Sequence, residues 1–313
     1  MKTMKAVSIY GYGGPSVLHY EDAPKPHPGT GEVLVRVHAA GVNPIDWKIR
    51  EGELKGLLAH TFPLILGWDV SGTVEALGAG VLRFKVGDEV YSRPDILRDG
   101  AYAEFVVIRE SEVALKPKAI DHIHAAAMPL DCLAAWQTLI ETAALAAGQR
   151  VLIHAGSGGV GHFAVQIARA RGAFVIATTS ARNHAFVRDL GVEQVVDYDT
   201  ERFEEVVRPV DVVLDTVGGD TQTRSWKVVK DGGMLVSLVS EPDKALALAH
   251  HARGAFVFAQ PNAAQLAEIA ILVEDQRLKA VVETILALSD ATRAQELSQR
   301  GHTVGKIVLR VVP

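Results

Sequence analysis

The chain has 313 residues, enough for two domains, and its 37 acidic and 32 basic side chains with 48% hydrophobic residues exclude a disordered chain. A net charge of −5, a pI near 6.2 and no run of five Lys/Arg leave no electrostatic footprint for nucleic acid. Apolar stretches around 64–66 and 125–136 are interrupted by Pro, Gly or Asp before the ~18 residues that membrane insertion requires. The opening MKTMKAVSIYG lacks the apolar core and small-residue cleavage site of a signal peptide, so a cytoplasmic protein is expected. A single cysteine, Cys132, excludes an intrachain disulfide and a multi-cysteine zinc lobe, and reads as a small core residue on a helix.

From Lys5 to about Leu115, short β-type runs at 33–37, 72–76, 88–91 and 103–108 are punctuated by Gly-centred turns, which predicts a β-rich lobe. From Ile120 the texture turns Ala-rich and helical, and strands then alternate with helices. Strands are expected at 150–155, 174–179, 194–198, 210–217, 234–239 and 255–259, several of them continuous Val/Ile/Leu runs suited to a parallel sheet buried on both faces. Intervening helices are expected at 160–171, 181–190 and 222–230. Beyond about Leu278, KAVVETILAL, a polar helix and the apolar KIVLRVV resemble the β-lobe again. The fold class is therefore α/β: a doubly wound parallel Rossmann sheet, 121–276, inserted in a β-rich domain built from 1–120 and 277–313.

Gly156, Gly158 and Gly161 stand at G-x-G-x-x-G spacing, directly after an apolar strand and before an amphipathic helix. One glycine permits the turn, one lets a pyrophosphate approach the backbone, and one lets helix and strand pack closely. Ala155, Gly156, Ser157, Gly158, Gly159, Val160 and Gly161 are the expected phosphate cradle, with the helix N-terminus directed at the phosphates. About 20 residues on, an NAD site would place Asp or Glu. Positions 177–183 read AlaThrThrSerAlaArgAsn, with no acidic residue before Asp189. Thr179, Ser180 and Arg182 can donate to a 2′-phosphate that a carboxylate would repel, which favours NADPH over NADH. Arg182 also reads as an ordinary solvated helix residue.

Motifs along the whole chain resemble the medium-chain dehydrogenase/reductase superfamily. AAGVNPIDWKIREG at 39–52 is similar to its zinc-independent quinone oxidoreductase branch, the zeta-crystallin-like and enone reductase proteins. GWDVSGTVEALGAGV, FKVGDEVY, GAYAEFVV, AAMPLDCLAAWQTL and LDTVGGD follow in order. The resemblance implies a GroES-like barrel for the β-rich domain. Zinc-dependent relatives place a cysteine near position 43 and a histidine near 68; here stand Asn43 and Trp68, and the four-cysteine lobe is missing, so no zinc is expected. His122 with His124, and His250 with His251, lack an evident third ligand.

By the same resemblance, Asn43 would lie beside the nicotinamide and donate to the substrate carbonyl oxygen as charge develops there; otherwise it is a turn-forming Asn before Pro44. Lys48 stands where some quinone oxidoreductases have tyrosine and some enone reductases have lysine, so it leans toward an enone, or it is solvated. Asp46 would hold the loop, its ordinary pKa being too low for a proton donor near neutrality. Trp68 would narrow the substrate pocket or pack in the core. Tyr198, Val217, Val239, Ser240 and, in the returning C-terminal segment, Lys306 would contact the cofactor.

The expected function is NADPH-dependent, metal-free hydride transfer to a small-molecule carbonyl substrate, a quinone or an enone. Two alternatives stay open: an enoyl reductase on a carrier-bound thioester, and a low-turnover NADPH-binding redox-sensing or structural protein. The family also implies a homodimer, paired through the sheet edge at 255–259.

Overall fold

A computed structural model describes residues 2–312 and divides the chain into two compact units. Unit 1 comprises Met1–Leu130 and Pro261–Pro313; unit 2 is the continuous segment Asp131–Gln260. The α/β class and the insertion are as the sequence pattern indicates.

Unit 1 opens with β1 (Thr3–Ile9) and β2 (His19–Pro24), followed by β3 (Glu32–Val42), β4 (Leu64–Ile65), β5 (Val70–Leu77), β6 (Glu89–Ser92), β7 (Phe105–Arg109) and β8 (Val113–Leu115). β1 pairs antiparallel with β2 and β4. The long β3 organises the second sheet, pairing antiparallel with β5 and β7. Val33, Val35, Val37 and Ala39 of β3 are all fully enclosed, which explains why this strand is the centre of the unit's core.

Unit 2 contributes β9 (Arg150–Ile153), β10 (Phe174–Thr179), β11 (Gln194–Asp197), β12 (Val210–Asp215), β13 (Val229–Ser237) and β14 (Arg253–Phe256). They form one parallel sheet in the order β11-β10-β9-β12-β13-β14. The order reverses between β9 and β12, and a doubly wound sheet takes its ligand at such a switch point, off the carboxyl ends of the strands. Val151, Leu152, Ile153, Val175, Ile176 and Val213 are all 0% exposed, the two-sided burial that continuous apolar runs foretell. The chain then returns to unit 1 as β15 (Val282–Ala287) and β16 (Lys306–Arg310), with β16 antiparallel to β3.

Several boundaries differ from the sequence reading. The helix expected at 222–230 runs Gly219–Ser225, because Val229 and Lys230 already belong to β13 and Val229 registers with Val210. β13 spans Val229–Ser237 where 234–239 was expected, and β14 spans Arg253–Phe256 where 255–259 was expected. The unit boundaries fall at 130/131 and 260/261 rather than 120/121 and 276/277. Helix His122–Ala126 has a helical texture but buries Ala126 against Ala39 and Val308, both in unit 1. Helix Ala263–Glu274 likewise accepts a 2.5 Å bond at the Leu266 carbonyl from the Tyr91 hydroxyl of β6.

Candidate active site

In unit 1, β3 ends at Val42, and Asn43 caps the helix Pro44–Glu51, with Pro44 at the first helical position where its missing N–H costs nothing. The Asn43 N–H donates to Asp46 Oδ2 at 2.8 Å, the reciprocal half of a capping box, and Tyr102 OH donates to the same oxygen at 2.8 Å. The Asn43 side chain is engaged at both ends. Its Nδ2 donates to Asp69 Oδ2 at 2.8 Å, and its Oδ1 accepts from Lys306 Nζ. Asp69 Oδ1 accepts from the Leu130 N–H, and Lys306 Nζ lies 3.5 Å from Asp69 Oδ2. Asn43, Asp46, Asp69 and Tyr102 are 0% or nearly 0% exposed and Lys306 is 2% exposed. A carboxylate on one side and an ammonium on the other leave the amide a single sensible orientation.

The ordinary-pKa argument against Asp46 is overturned by its surroundings. Complete burial lifts this carboxyl to about 7, opposed by the Asn43 N–H and Tyr102 hydroxyl and reinforced by the nearby Asp69 charge. Tyr102 is pushed well above its usual range by burial and by Asp46, so it stays a donor. A carboxyl with a raised folded-state pKa contributes stability fully below its unfolded value and loses it as pH rises to about 7. Asp46→Asn keeps an acceptor for both donors and does not titrate. Relative to the parent, this variant is expected to gain on the order of 4 kcal/mol between pH 4 and 8. Urea unfolding at both pH values checks this; a parallel pair of profiles refutes it.

Lys48, in the last turn of the same helix, is half-buried with its ammonium 5.6 Å from the Trp47 ring, and Trp68 is 0% exposed with its indole N–H donating to the Arg98 carbonyl at 3.1 Å. Trp68 thus packs within unit 1 in the arrangement described. His122 does not join His124; it hydrogen-bonds Ser71 and stacks at 4.1 Å on His38.

In unit 2, β9 ends at Ile153 and His154 leads into a turn at which Ala155 adopts φ +50°, and helix Gly159–Ala170 starts behind Gly158. The glycines are not equivalent. A Cβ on Gly161 would lie 2.1 Å from the Ala155 carbonyl oxygen, one on Gly156 would meet the Ala177 methyl at 2.6 Å, and one on Gly158 would come no closer than 3.3 Å to anything. At the end of β10, Ser157 Oγ and Thr179 Oγ1 are 2.8 Å apart, and Asn183 Nδ2 donates to Ser157 Oγ at 3.1 Å and Ser180 Oγ at 3.4 Å. The structure thus brings Ser157, Thr179 and Ser180 into one polar corner, with Asn183 as a member that the sequence reading passed over. Arg182 is exposed and Tyr198 is 53% exposed, its N–H donating to the Thr179 carbonyl.

A second missed residue is Asp215, at the carboxyl end of β12. Its fully buried carboxylate accepts four hydrogen bonds: from the N–H groups of Val217 and Gly218, from Gln222 Nε2 and from Ser237 Oγ. Ser237 Oγ in turn accepts from the N–H groups of Val239 and Ser240. One carboxylate therefore fixes both loops bearing Val217, Val239 and Ser240. The readable signal was an acidic residue closing the apolar run Val212–Leu214 in LDTVGGD.

His154 braces the turn. Ser225 Oγ is committed as a donor to the Thr221 carbonyl, so it accepts from His154 Nε2, which leaves Nδ1 to accept from Thr178. Burial holds this imidazole at about 4. A histidine depressed below its unfolded value stabilises the fold above about pH 6.5 and loses that contribution as pH falls toward 4. Unit 2 is expected to lose unfolding free energy across that window, and His154→Gln to flatten the slope; an unchanged slope refutes it.

Two family patterns match the chain: "Alcohol dehydrogenase GroES-like domain" over residues 29–118 and "Zinc-binding dehydrogenase" over residues 190–309. The spinach "Quinone-oxidoreductase homolog, chloroplastic" is 34% identical over 325 residues, covering 98% of each chain. The Arabidopsis thaliana "NADPH-dependent alkenal/one oxidoreductase, chloroplastic" is 33% identical over 326 residues, covering 100% of this chain and 81% of that one. The solved quinone oxidoreductase from Coxiella burnetii superimposes with a TM-score of 0.91 at 37% identity, covering 99% of this chain and 100% of that chain. The chain belongs to the medium-chain dehydrogenase/reductase superfamily, in its quinone oxidoreductase branch.

Zinc appears in the description of one matched family, but the donors here do not suit it. Among the described residues no group of three or more His, Cys, Asp or Glu could hold a metal ion. Asn43 offers an amide already bound at both ends and Trp68 offers no ligand atom. No helix among the described residues is long and apolar enough to cross a membrane.

Proposed function

We propose that the protein is an NADPH-dependent, zinc-independent oxidoreductase of quinones or α,β-unsaturated carbonyl compounds. The observation that carries the cofactor half is the Ser157, Thr179, Ser180 and Asn183 corner, where hydroxyl and amide groups occupy the place of the carboxylate that would select a free ribose. Gly156–Gly161 would cradle the pyrophosphate, Arg182 and Tyr198 would flank the 2′-phosphate, and Val217, Val239 and Ser240 would line the nicotinamide end. Bound NADPH supplies a hydride.

The acceptor would be held in unit 1. Asn43 is oriented by Asp69 and Lys306, and a carbonyl oxygen gaining negative charge would be stabilised by the amide and the fixed ammonium. Lys306, expected at the cofactor, joins the Asn43 cluster instead in this reading. Lys48 would serve at the rim. Asp46, titrating near 7, is suited to hold a proton at neutral pH. A homodimer through the free edge of β14 is part of the proposal; a purely monomeric species in sedimentation would remove it.

The deciding experiment follows NADPH oxidation by the purified chain with a simple quinone and an alkyl enone, with chelator throughout. Turnover with either acceptor is expected. Turnover abolished by chelator, or nucleotide binding without oxidation of any acceptor, overturns the proposal.

A further inference from the structure

Among the described residues of unit 1, Arg50 and Arg93 are buried, and their surroundings treat them oppositely. Arg50, 0% exposed, donates to the Gly13 carbonyl, Gln295 Oε1, Glu51 Oε1 and Gln299 Oε1. That is how a structural guanidinium is satisfied. Arg93, 3% exposed and one residue past β6, has a single bond, from Nη1 to the carbonyl of its own neighbour Pro94 at 3.4 Å. Its Nε has no partner, and no carboxylate among the described residues lies within 4.0 Å of it.

A guanidinium keeps its charge and five donors in any protein, so enclosing one without an anion is costly. Burial depresses the Arg93 pKa, and Asp69, Asp95 and Glu112 offset this from longer range. None of the three is at liberty to pair with it. Asp95 is held by the Leu97 N–H and by Arg109, Glu112 by the Asp95 N–H and by Arg109, and Asp69 by Asn43, Leu130 and Lys306. β5 and β6 pair antiparallel with Val70 opposite Ser92, so Asp69 and Arg93 follow that pair on neighbouring strands, which sets Arg93 beside the Asn43 cluster and assigns its unpartnered Nε to the acceptor site proposed above.

We propose that Arg93 binds a carboxylate carried by the acceptor, which makes acidic α,β-unsaturated carbonyl compounds, the oxoalkenoates, the preferred substrate class. This rests on the reading of the Asn43 cluster as the acceptor site. A planar carboxylate matches the guanidinium fork with two parallel hydrogen bonds. A phosphate of the nucleotide is the other anion to hand, but the turn at Gly156–Gly161 already provides for it.

The test compares 4-oxopent-2-enoate with its methyl ester as acceptors for NADPH oxidation. The parent protein should favour the acid, and Arg93→Met should lower kcat/KM for the acid by roughly ten- to hundredfold while changing the ester by less than about threefold. Arg93→Lys should recover part of the loss. Equal losses with acid and ester, or a raised NADPH KM alone, overturn the proposal. A second arm needs neither turnover nor a variant: calorimetric binding to the parent protein of 4-oxopentanoate and of its methyl ester. The acid should bind at least about tenfold more tightly; equal binding, or tighter binding of the ester, overturns it. If neither enone is reduced yet the acid binds preferentially, the proposed reaction fails while the assignment of Arg93 stands.

Discussion

Gly161→Ala is expected to abolish nucleotide binding and to destabilise unit 2 by at least about 3 kcal/mol. The added Cβ would lie 2.1 Å from the Ala155 carbonyl oxygen, 2.9 Å from the Ala155 carbonyl carbon and 2.8 Å from Gly156 Cα, all of them backbone atoms. None can rotate away as a side chain would. Ala155 already sits at φ +50°, so the turn has little freedom left to retreat. Gly158 provides the control. Its backbone is extended, with φ −78° and ψ −175°, and a methyl there would approach only the Ala155 oxygen, at 3.3 Å. Gly158→Ala should therefore keep nearly the parent Tm, and Gly156→Ala, which meets the Ala177 side chain, should fall between the two. Thermal unfolding and NADPH fluorescence titration of the three variants give the ranking. A Gly161→Ala protein with parental Tm and Kd would show that this turn does not require a bare backbone.

Lys306→Met should cost about 3–5 kcal/mol, because it leaves the wholly buried Asp69 carboxylate without the ammonium beside it and the Asn43 oxygen without its donor. The double variant Lys306→Met with Asp69→Asn should recover a large share of that loss, since a neutral amide tolerates burial better than a lone charge. Urea unfolding of the four proteins in the cycle measures the coupling. Strict additivity would mean that the two charges do not support one another.

What could be read from the sequence was what is local. Val/Ile/Leu runs announced the parallel strands, and AGSGGVG announced the turn because strand, glycines and helix are adjacent in the chain. The unit 1 cluster was not readable in this way. It gathers positions 43, 46, 69, 102 and 306, and its longest hydrogen bond in sequence spans 263 residues, so no spacing rule joins them. Asp46 shows the same limit for chemistry: its titration near 7 comes from enclosure by residues distant in sequence, which its immediate neighbours do not betray. The helix placed at 222–230 failed for another reason. Val228 and Val229 are β-branched and buried, and pairing with Val210 overrode a helical periodicity.

The placement of β16 carries a consequence for synthesis. Asp131–Gln260 is continuous, so all six strands of its sheet have left the ribosome once Gln260 has emerged. β7 covers one edge of β3 only at 32–36, so the 39–42 stretch of that edge must wait for residues 306–310, and Asn43 and Asp69 wait equally long for Lys306. During translation unit 1 therefore exposes an open strand edge and a pair of polar groups without their cation, and a nascent chain stalled shortly before Lys306 would be the species most in need of a chaperone.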